Sequence, residues 1–490
     1  MNIWRTRCFC LVVVLIGALA LPAGSGAIDD VENIPGYTGI FKGDLPEIRK
    51  RKVIRALVTY SRTDFFFHQG GAKGIQVEFL NEYVKFLNKG AGREEDRVHV
   101  TYIPVTFNEL IPALRAGRGD IAADFLTITP QRKKQVSFAT GGSWKVNELV
   151  VANKNVGKLE SIEDLSGKSI YVLNGSSYVE HLKSLNKQFM KQGLKPAKIK
   201  QADPHLLSDD ILEMVNAGTI KITVVDGYIA RLWKKVLPDI RVHEKLVIST
   251  GNRVGWAVRK QNPELLESLN MFAEKAKRGT LLGNMLFKRY YKDTRWIKNP
   301  ISESELKRLE SLIALFDKYG QRYGFDTWAL AGQAYQESGL DNSKKSHRGA
   351  VGIMQVLPST AADKNVNIKN VKQLENNIHA AAKYLAFLRE RYFSDPAITP
   401  ENQLAFTWAA YNAGPAKVRK MRAQAEKMGL DPNVWFLNVE LAASKLVGRE
   451  PVRYVAHVYK YYVAYKLAAE ATDSEAKVLG LSEASWRQHI

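Results

Sequence analysis

Cysteine is almost missing from this chain. Cys8 and Cys10 are the only two in 490 residues, so nothing after position 10 can form a disulfide, act as a thiol nucleophile or supply a thiolate to a metal. That pattern suits an oxidising compartment without requiring one. Long apolar runs are scarce as well. The one that stands out, 11–21, falls short of the ~20 residues needed to span a bilayer and ends in Pro22, Gly24 and Gly26. Like charges do not gather in blocks, no segment is of low complexity and no unit repeats.

What is present is the composition of a folded, multidomain chain. With 45% hydrophobic and 10% aromatic residues it can bury more than one core, and its length points to roughly two to four domains. Arg5 and Arg7 before the apolar run, and Ser25-Gly26-Ala27 after it, read as an export signal over 1–27. An uncleaved anchor is the alternative. Both cysteines precede the run, where no lipid-attachment cysteine would sit, so any membrane association is expected to be peripheral. Cleavage would remove two positive charges and no negative one, taking the formal net charge from +21 to +19. Such a balance favours polyanions: an acidic wall polymer or anionic lipid headgroups, with nucleic acid excluded by export. Solubility alone is the blander explanation.

The chain divides in two. After an extension over 28–48, residues 49–293 alternate strand-like runs (53–60, 98–105) with helical ones (75–87, 108–116), a pattern that implies an α/β domain of parallel strands and crossover helices. Over 294–470 the strand signal vanishes and amphipathic helices are expected at 303–319, 327–338, 374–391, 403–411 and 451–470. Asn299-Pro300 breaks the pattern at the boundary, where Ser302 and Glu305 form a capping box. Residues 471–490 read as a polar tail.

The helical half carries the chemistry. Asp326 is placed to cap a helix from Thr327 that Gly339 ends, which sets Glu337 in the last turn. A carboxylate there meets the negative end of the helix dipole, and apolar walls would raise its pKa further, as a general acid working near neutral pH requires. A solvated surface glutamate is the simpler reading for any glutamate taken alone. Two further blocks weigh against it. Gly349-Ala350-Val351-Gly352-Ile353-Met354-Gln355 offers glycines for close backbone approach and an amide that donates and accepts. Ala410-Tyr411-Asn412-Ala413-Gly414 offers an aromatic face for a sugar ring and an amide for its substituents.

In this order and spacing, Glu337-Ser338, Ser346 with the Gly349 to Gln355 element, Asn377-Ile378 and the Ala410 to Gly414 element resemble the catalytic domain of the lytic transglycosylases related to goose-type lysozyme, over 316–465. The chain departs from that family at Glu450-Pro451, where Glu-Thr is usual before the tyrosine matched by Tyr454. The resemblance implies an all-α lysozyme-like domain acting on peptidoglycan glycan strands. It makes Glu337 the catalytic acid and base and Ser338, Met354, Gln355, Tyr411, Asn412 and Tyr454 substrate contacts, and it calls for no metal and no cofactor. Most glycosidases use two carboxylates; the matched elements offer one, and Asp341, in a polar loop beyond Gly339, reads as a solvated or capping residue.

The α/β half resembles the periplasmic amino-acid-binding proteins, solute-binding family 3, through Gly119-Asp120-Ile121 and the run to Lys134, then Asn174-Gly175-Ser176-Ser177, Val224-Val225-Asp226-Gly227 and Gly255-Trp256-Ala257-Val258. A two-lobed fold follows. A bound amino acid or peptide needs a fork of donors for its carboxylate, which Arg132 can supply beside Thr127 and the amides of Gly175 and Ser176, and a counter-charge for its ammonium, which Asp226 supplies. Joined in this order, the halves resemble the membrane-bound lytic murein transglycosylases, which places the expected enzyme in the periplasm at the outer membrane. Two other readings stay open: a hydrolase of the goose-lysozyme kind, and a non-catalytic solute receptor whose helical half docks on the wall.

Overall fold

The computed structural model describes residues 39–68, 71–93, 96–141, 144–291, 308–446 and 449–478. The expected export signal, the first part of the 28–48 extension, the boundary with its Ser302–Glu305 capping box and the end of the tail lie outside these residues.

The α/β half is built on a nine-stranded sheet with the order β4-β1-β5-β11-β7-β10-β8-β9 and β6 pairing β11 off that path. The strands are β1 (Val53–Val58), β2 (Phe66–His68), β3 (Gly71–Lys73), β4 (His99–Pro104), β5 (Ile121–Thr127), β6 (Ser137–Phe138), β7 (Lys145–Asn153), β8 (Ser169–Val172), β9 (Lys198–Gln201), β10 (Ile222–Asp226) and β11 (Ile240–Val258), with β2 and β3 forming a separate hairpin. The expectation of parallel strands holds at each end of the sheet and fails in its middle: β1 runs parallel to β4 and β5, and β8 to β9 and β10, whereas β11 is antiparallel to both β5 and β7. The reason is β11 itself. Its first part pairs with β7 and its last residues with β5 and β6, so one long strand serves two sheets and ties two lobes together.

Helices cover the sheet faces. They are α1 (Leu45–Arg51), α2 (Ile75–Leu87), α3 (Leu110–Ala116), α4 (Pro130–Lys133), α5 (Ser177–Lys191), α6 (Ser208–Asn216), α7 (Gly227–Lys234), α8 (Pro263–Ala276) and α9 (Leu281–Tyr291). In α2 the residues Ile75, Phe79, Leu80, Tyr83 and Leu87 recur at helical spacing and all are buried. Residues 39–48, set apart in the sequence as an extension, belong to this half. Asp44 caps α1 through Leu45 and also accepts the amides of Glu264 and Leu265 at the start of α8, while Arg55 donates to the carbonyls of Gly39 and Phe41.

The second half is all helical: α10 (Ile313–Tyr323), α11 (Thr327–Ser338), α12 (Pro358–Ala362), α13 (Leu374–Tyr392), α14 (Pro400–Ala413), α15 (Pro415–Lys427), α16 (Glu440–Leu446) and α17 (Arg449–Val478), the last continuing past residue 470 into the stretch read as a tail. Helix α11 lies directly against α17. A side chain at Gly332 would meet the Tyr462 amide at 2.7 Å, so only glycine allows this approach. Helix α17 also reaches the α/β half, where Lys460 Nζ bonds Glu213 Oε2 at 2.7 Å and the Tyr459 hydroxyl donates to Asp203 at 2.9 Å.

Asp120, from the Gly119-Asp120-Ile121 element, is wholly buried beneath the first lobe. It accepts the Arg55 amide and lies within ion-pair distance of Arg51 (2.6 Å), Arg55 (3.0 Å) and Arg259 (3.5 Å). Removing its charge would strand three guanidinium groups around it. Asp120→Asn is therefore expected to destabilise the chain by about 3–5 kcal/mol in denaturant unfolding; a loss below about 1 kcal/mol would show that the cluster does not hold the lobe.

Candidate active site

Glu337 owes its position to the two ends of α11. Asp326 Oδ1 accepts the Trp328 amide at 2.8 Å at the start, and Gly339 in the left-handed region (φ +70°) ends the helix one residue past Ser338. The carboxyl group is partly buried, and burial raises its pKa from 4.5 to about 7, against the lowering effects of the Tyr454 hydroxyl and the Lys344 ammonium. Tyr454 comes from α17 and donates to Glu337 Oε1 at 2.5 Å; it is itself buried and accepts from Gln333 Nε2 at 3.1 Å. Lys344 reaches the helix end, donating to the Ser338 carbonyl. Gln333 stands one turn before Glu337 on the same face, a spacing that the sequence analysis passed over, and Lys344 lies seven residues beyond it.

The loop from 344 to 356 forms the floor. Its anchor is Asn377, fully buried at the start of α13: Oδ1 accepts the Met354 amide at 2.8 Å, and Nδ2 donates to the carbonyls of Val351 (2.9 Å) and Val371 (2.7 Å). A side chain at Gly352 (φ +82°) would strike the Asn377 amide at 2.3 Å. Ser338 ties the helix to this loop, its hydroxyl donating to Ile353 O at 2.7 Å and accepting the Asp341 amide. Met354 is buried and its carbonyl accepts the Tyr411 hydroxyl at 2.8 Å. Gln355 (φ +50°) gives its amide hydrogens to Lys344 O and Gly352 O. Ser338, Met354 and Gln355, expected as substrate contacts, are thus bonded mainly within the site. Tyr411 and Asn412 at the end of α14 stay partly exposed, and Asn412 makes no side-chain hydrogen bond among the described residues.

Among the described residues no second acid stands beside Glu337. Asp341, the candidate nearest in chain, is exposed and accepts both the amide and hydroxyl of Ser343, which hold its pKa below the usual value. Among the described residues no group of three or more His, Asp or Glu side chains is placed to hold a metal ion.

In the α/β half the lobes enclose a cleft with about 690 Å³ of space between atoms, lined by Thr127, Ser176 and Asp226 among others. Arg132 sits behind this wall. Its guanidinium donates to Thr127 O at 2.9 Å and, across the cleft, to Gly175 O at 3.0 Å. The amides of Gly175 and Ser176, expected to be open to a carboxylate, are taken by Gln201 Oε1 and Leu173 O. Those two amides are bonded within the second lobe, whereas the Arg132 bond to Gly175 O and the ion pair of Arg62 with Glu213 join the two lobes.

A two-lobed α/β fold followed by a helical domain with a partly buried acid, Glu337, in the last turn of a helix defines a class: an amino-acid-receptor-like module joined to a transglycosylase module. Residues 54–292 match the bacterial extracellular solute-binding proteins, family 3, and residues 314–433 the Transglycosylase SLT domain. A protein of Desulfosudis oleivorans named membrane-bound lytic murein transglycosylase F is 30% identical over 375 residues, covering 73% of this chain and 79% of that protein. One of the same name from Maricaulis maris is 28% identical over 485 residues, 94% of this chain and 98% of the relative. A solved ancestral arginine-binding protein bound to arginine is 25% identical and covers 49% of this chain and 98% of its own, with a TM-score of 0.41. The chain belongs to the membrane-bound lytic murein transglycosylase F family, and it is a lytic transglycosylase.

The electrostatics at Glu337 give a pH dependence. With Glu337 as the acid of the first step, kcat/KM is expected to fall as pH rises through about 7. Tyr454→Phe removes a bond that favours the carboxylate, so it should move this alkaline limb to higher pH while lowering the rate about 10-fold to 100-fold. A limb that stays in place would show that the hydroxyl does not bear on the ionisation of Glu337.

Proposed function

We propose that the chain cleaves the β-1,4 bond between N-acetylmuramic acid and N-acetylglucosamine in peptidoglycan and leaves 1,6-anhydro-N-acetylmuramic acid ends. The observation that carries this reading is one partly buried carboxyl group, poised near neutrality, with no second carboxylate beside it among the described residues. Such a group can both give and take a proton at pH 7. Protonated Glu337 gives its proton to the glycosidic oxygen, the C1–O bond breaks, and the N-acetylglucosamine side leaves as an alcohol. The acetamido group of the muramic acid supports the cationic C1. Glu337, now a carboxylate, takes the proton of the C6 hydroxyl as that oxygen bonds to C1, and the acid is restored with no water consumed. Tyr411 and Asn412, partly exposed beside it, suit the sugar ring and its acetamido group.

The α/β domain is the receptor for an amino acid or stem peptide that modulates this reaction. Support comes from α17, which carries Tyr454 on Glu337 and Lys460 on Glu213 of α6, about 9 Å apart along the helix. Movement of the second lobe therefore pulls on the helix that positions the acid. The enzyme works in the periplasm, held peripherally at the outer membrane; among the described residues no helix is long and apolar enough to cross a membrane.

Digestion of purified peptidoglycan followed by mass spectrometry of the released muropeptides tests the chemistry. Anhydro ends are expected, with release reduced at least about 100-fold by Glu337→Gln. Reducing ends, heavier by one water, would make the enzyme a hydrolase, and release by the variant equal to the parent would move the chemistry away from Glu337. Modulation is read separately: turnover should change when an amino acid or stem peptide saturates the receptor domain, and an unchanged rate at saturation would remove the regulatory role.

A further inference from the structure

The cleft between the lobes has an uneven charge. Asp64, Asp124, Asp209 and Asp226 line it, and among the described residues no lysine, arginine or histidine does. Asp209 is answered from behind by Arg62 at 3.8 Å. The other three take part in no ion pair among the described residues. Asp226, from the end of β10 in the second lobe, is 4% exposed, and its Oδ1 has no hydrogen-bond partner at all. An unpaired buried carboxylate oxygen is costly, and a position facing an open cleft is one that a ligand donor can satisfy.

The first lobe supplies the other two acids. Asp124 accepts from the Thr59 hydroxyl at 2.5 Å and from the Phe125 amide. Asp64 accepts from Ser61, Thr63, Gln76 and the Tyr291 hydroxyl. These donors are all neutral. Burial and the neighbouring Asp64 push the Asp124 carboxyl up to about 7, which is the mark of two acids sharing a site with no cation between them. The Arg132 guanidinium, which donates to the carbonyls of Thr127 and Gly175, lowers Asp124 and Asp226, but burial and the neighbouring acids raise both further. Aromatic rings line the same cleft: Tyr228 and Tyr291 stand edge to face at 4.9 Å, and Phe125 and Tyr291 lie 6.3 Å apart. Such walls suit an aliphatic stem and also favour a cation at its tip.

We infer that the cleft selects a ligand with two separated cationic groups, an α-ammonium on Asp226 and a side-chain ammonium or guanidinium on Asp64 and Asp124. The ligand class is thus a basic α-amino acid, free or within a short peptide. This inference rests on the reading of the α/β domain as a receptor and specifies what that receptor takes.

Isothermal titration of the full mature chain at pH 7.5 tests it with lysine, arginine, norleucine, Nε-acetyl-lysine and a lysine-containing dipeptide. Lysine or arginine should bind at least about 10-fold more tightly than norleucine or Nε-acetyl-lysine, which keep the stem and lose the charge. Asp124→Asn should bring lysine and norleucine to within about threefold, with norleucine binding unchanged as the sign that the lobe still folds. Binding of the dipeptide but not of free lysine would keep the charge selectivity and identify a peptide as the source. Norleucine or Nε-acetyl-lysine binding as tightly as lysine would overturn the selectivity and leave the receptor reading standing. If none of the five binds, both fall together.

Discussion

The contact between the Tyr454 hydroxyl and Glu337 is the constraint around which the catalytic half is arranged. It exists only because α17 lies against α11 closely enough for a tyrosine of one helix to reach the last turn of the other, and that approach depends on glycine at 332. The pairing also fixes the chemistry. Burial alone would drive the Glu337 carboxyl well up and keep it protonated; the tyrosine and Lys344 pull it back toward neutrality, where both protonation states are accessible. A group that must be an acid in one step and a base in the next needs that balance more than it needs either extreme.

The same economy shows in the loop from 344 to 356. A buried asparagine, Gly349 and Gly352 at positive φ and Gln355 at φ +50° hold the backbone in a shape that regular structure cannot supply. Residues that sequence patterns mark for substrate contact are also bonded into this scaffold. Ser338 bonds Ile353, Gln355 bonds Lys344 and Gly352, and the Met354 carbonyl orients Tyr411. The side chains left partly exposed toward the substrate, Tyr411 and Asn412, are correspondingly few.

Much of this was legible from the chain itself, and the parts that were not share a cause. Helices at 75–87 and 327–338 match α2 and α11 end to end because each has a clear apolar period and a glycine or acid at its boundary. The α/β and helical fold classes follow from alternation giving way to helix, and the two lobes from the resemblance to the solute-binding proteins. The antiparallel middle of the sheet was not legible, since β11 reads locally like any strand and its service to two lobes is a long-range pairing. The contacts of residues 39–48 with the α/β half are long-range in the same way: Asp44 meets the start of α8 some 220 residues further on. In the site, Glu337 was legible from motif and helix position, while Gln333 and Lys344 act through distances that no spacing rule supplies.

The two halves meet through charge, and the kind of charge matters. Lys460 of α17 is 4% exposed and bonded to Glu213, which is fully buried and also receives Arg62 from the opposite lobe. Three bodies thus converge on one carboxylate: the first lobe through Arg62, the second through Glu213 itself, and the catalytic domain through Lys460. A buried ion pair stabilises less than an apolar contact of the same size, but it is unforgiving of partial loss, because a separated partner is left charged and dry. If the lobes open, Arg62 departs and the demand on Lys460 changes. An apolar interface would slip by small degrees under the same motion. A charged one has two acceptable arrangements and little between them, which is the property needed to convert lobe movement into a displacement of the helix that holds Tyr454 on Glu337.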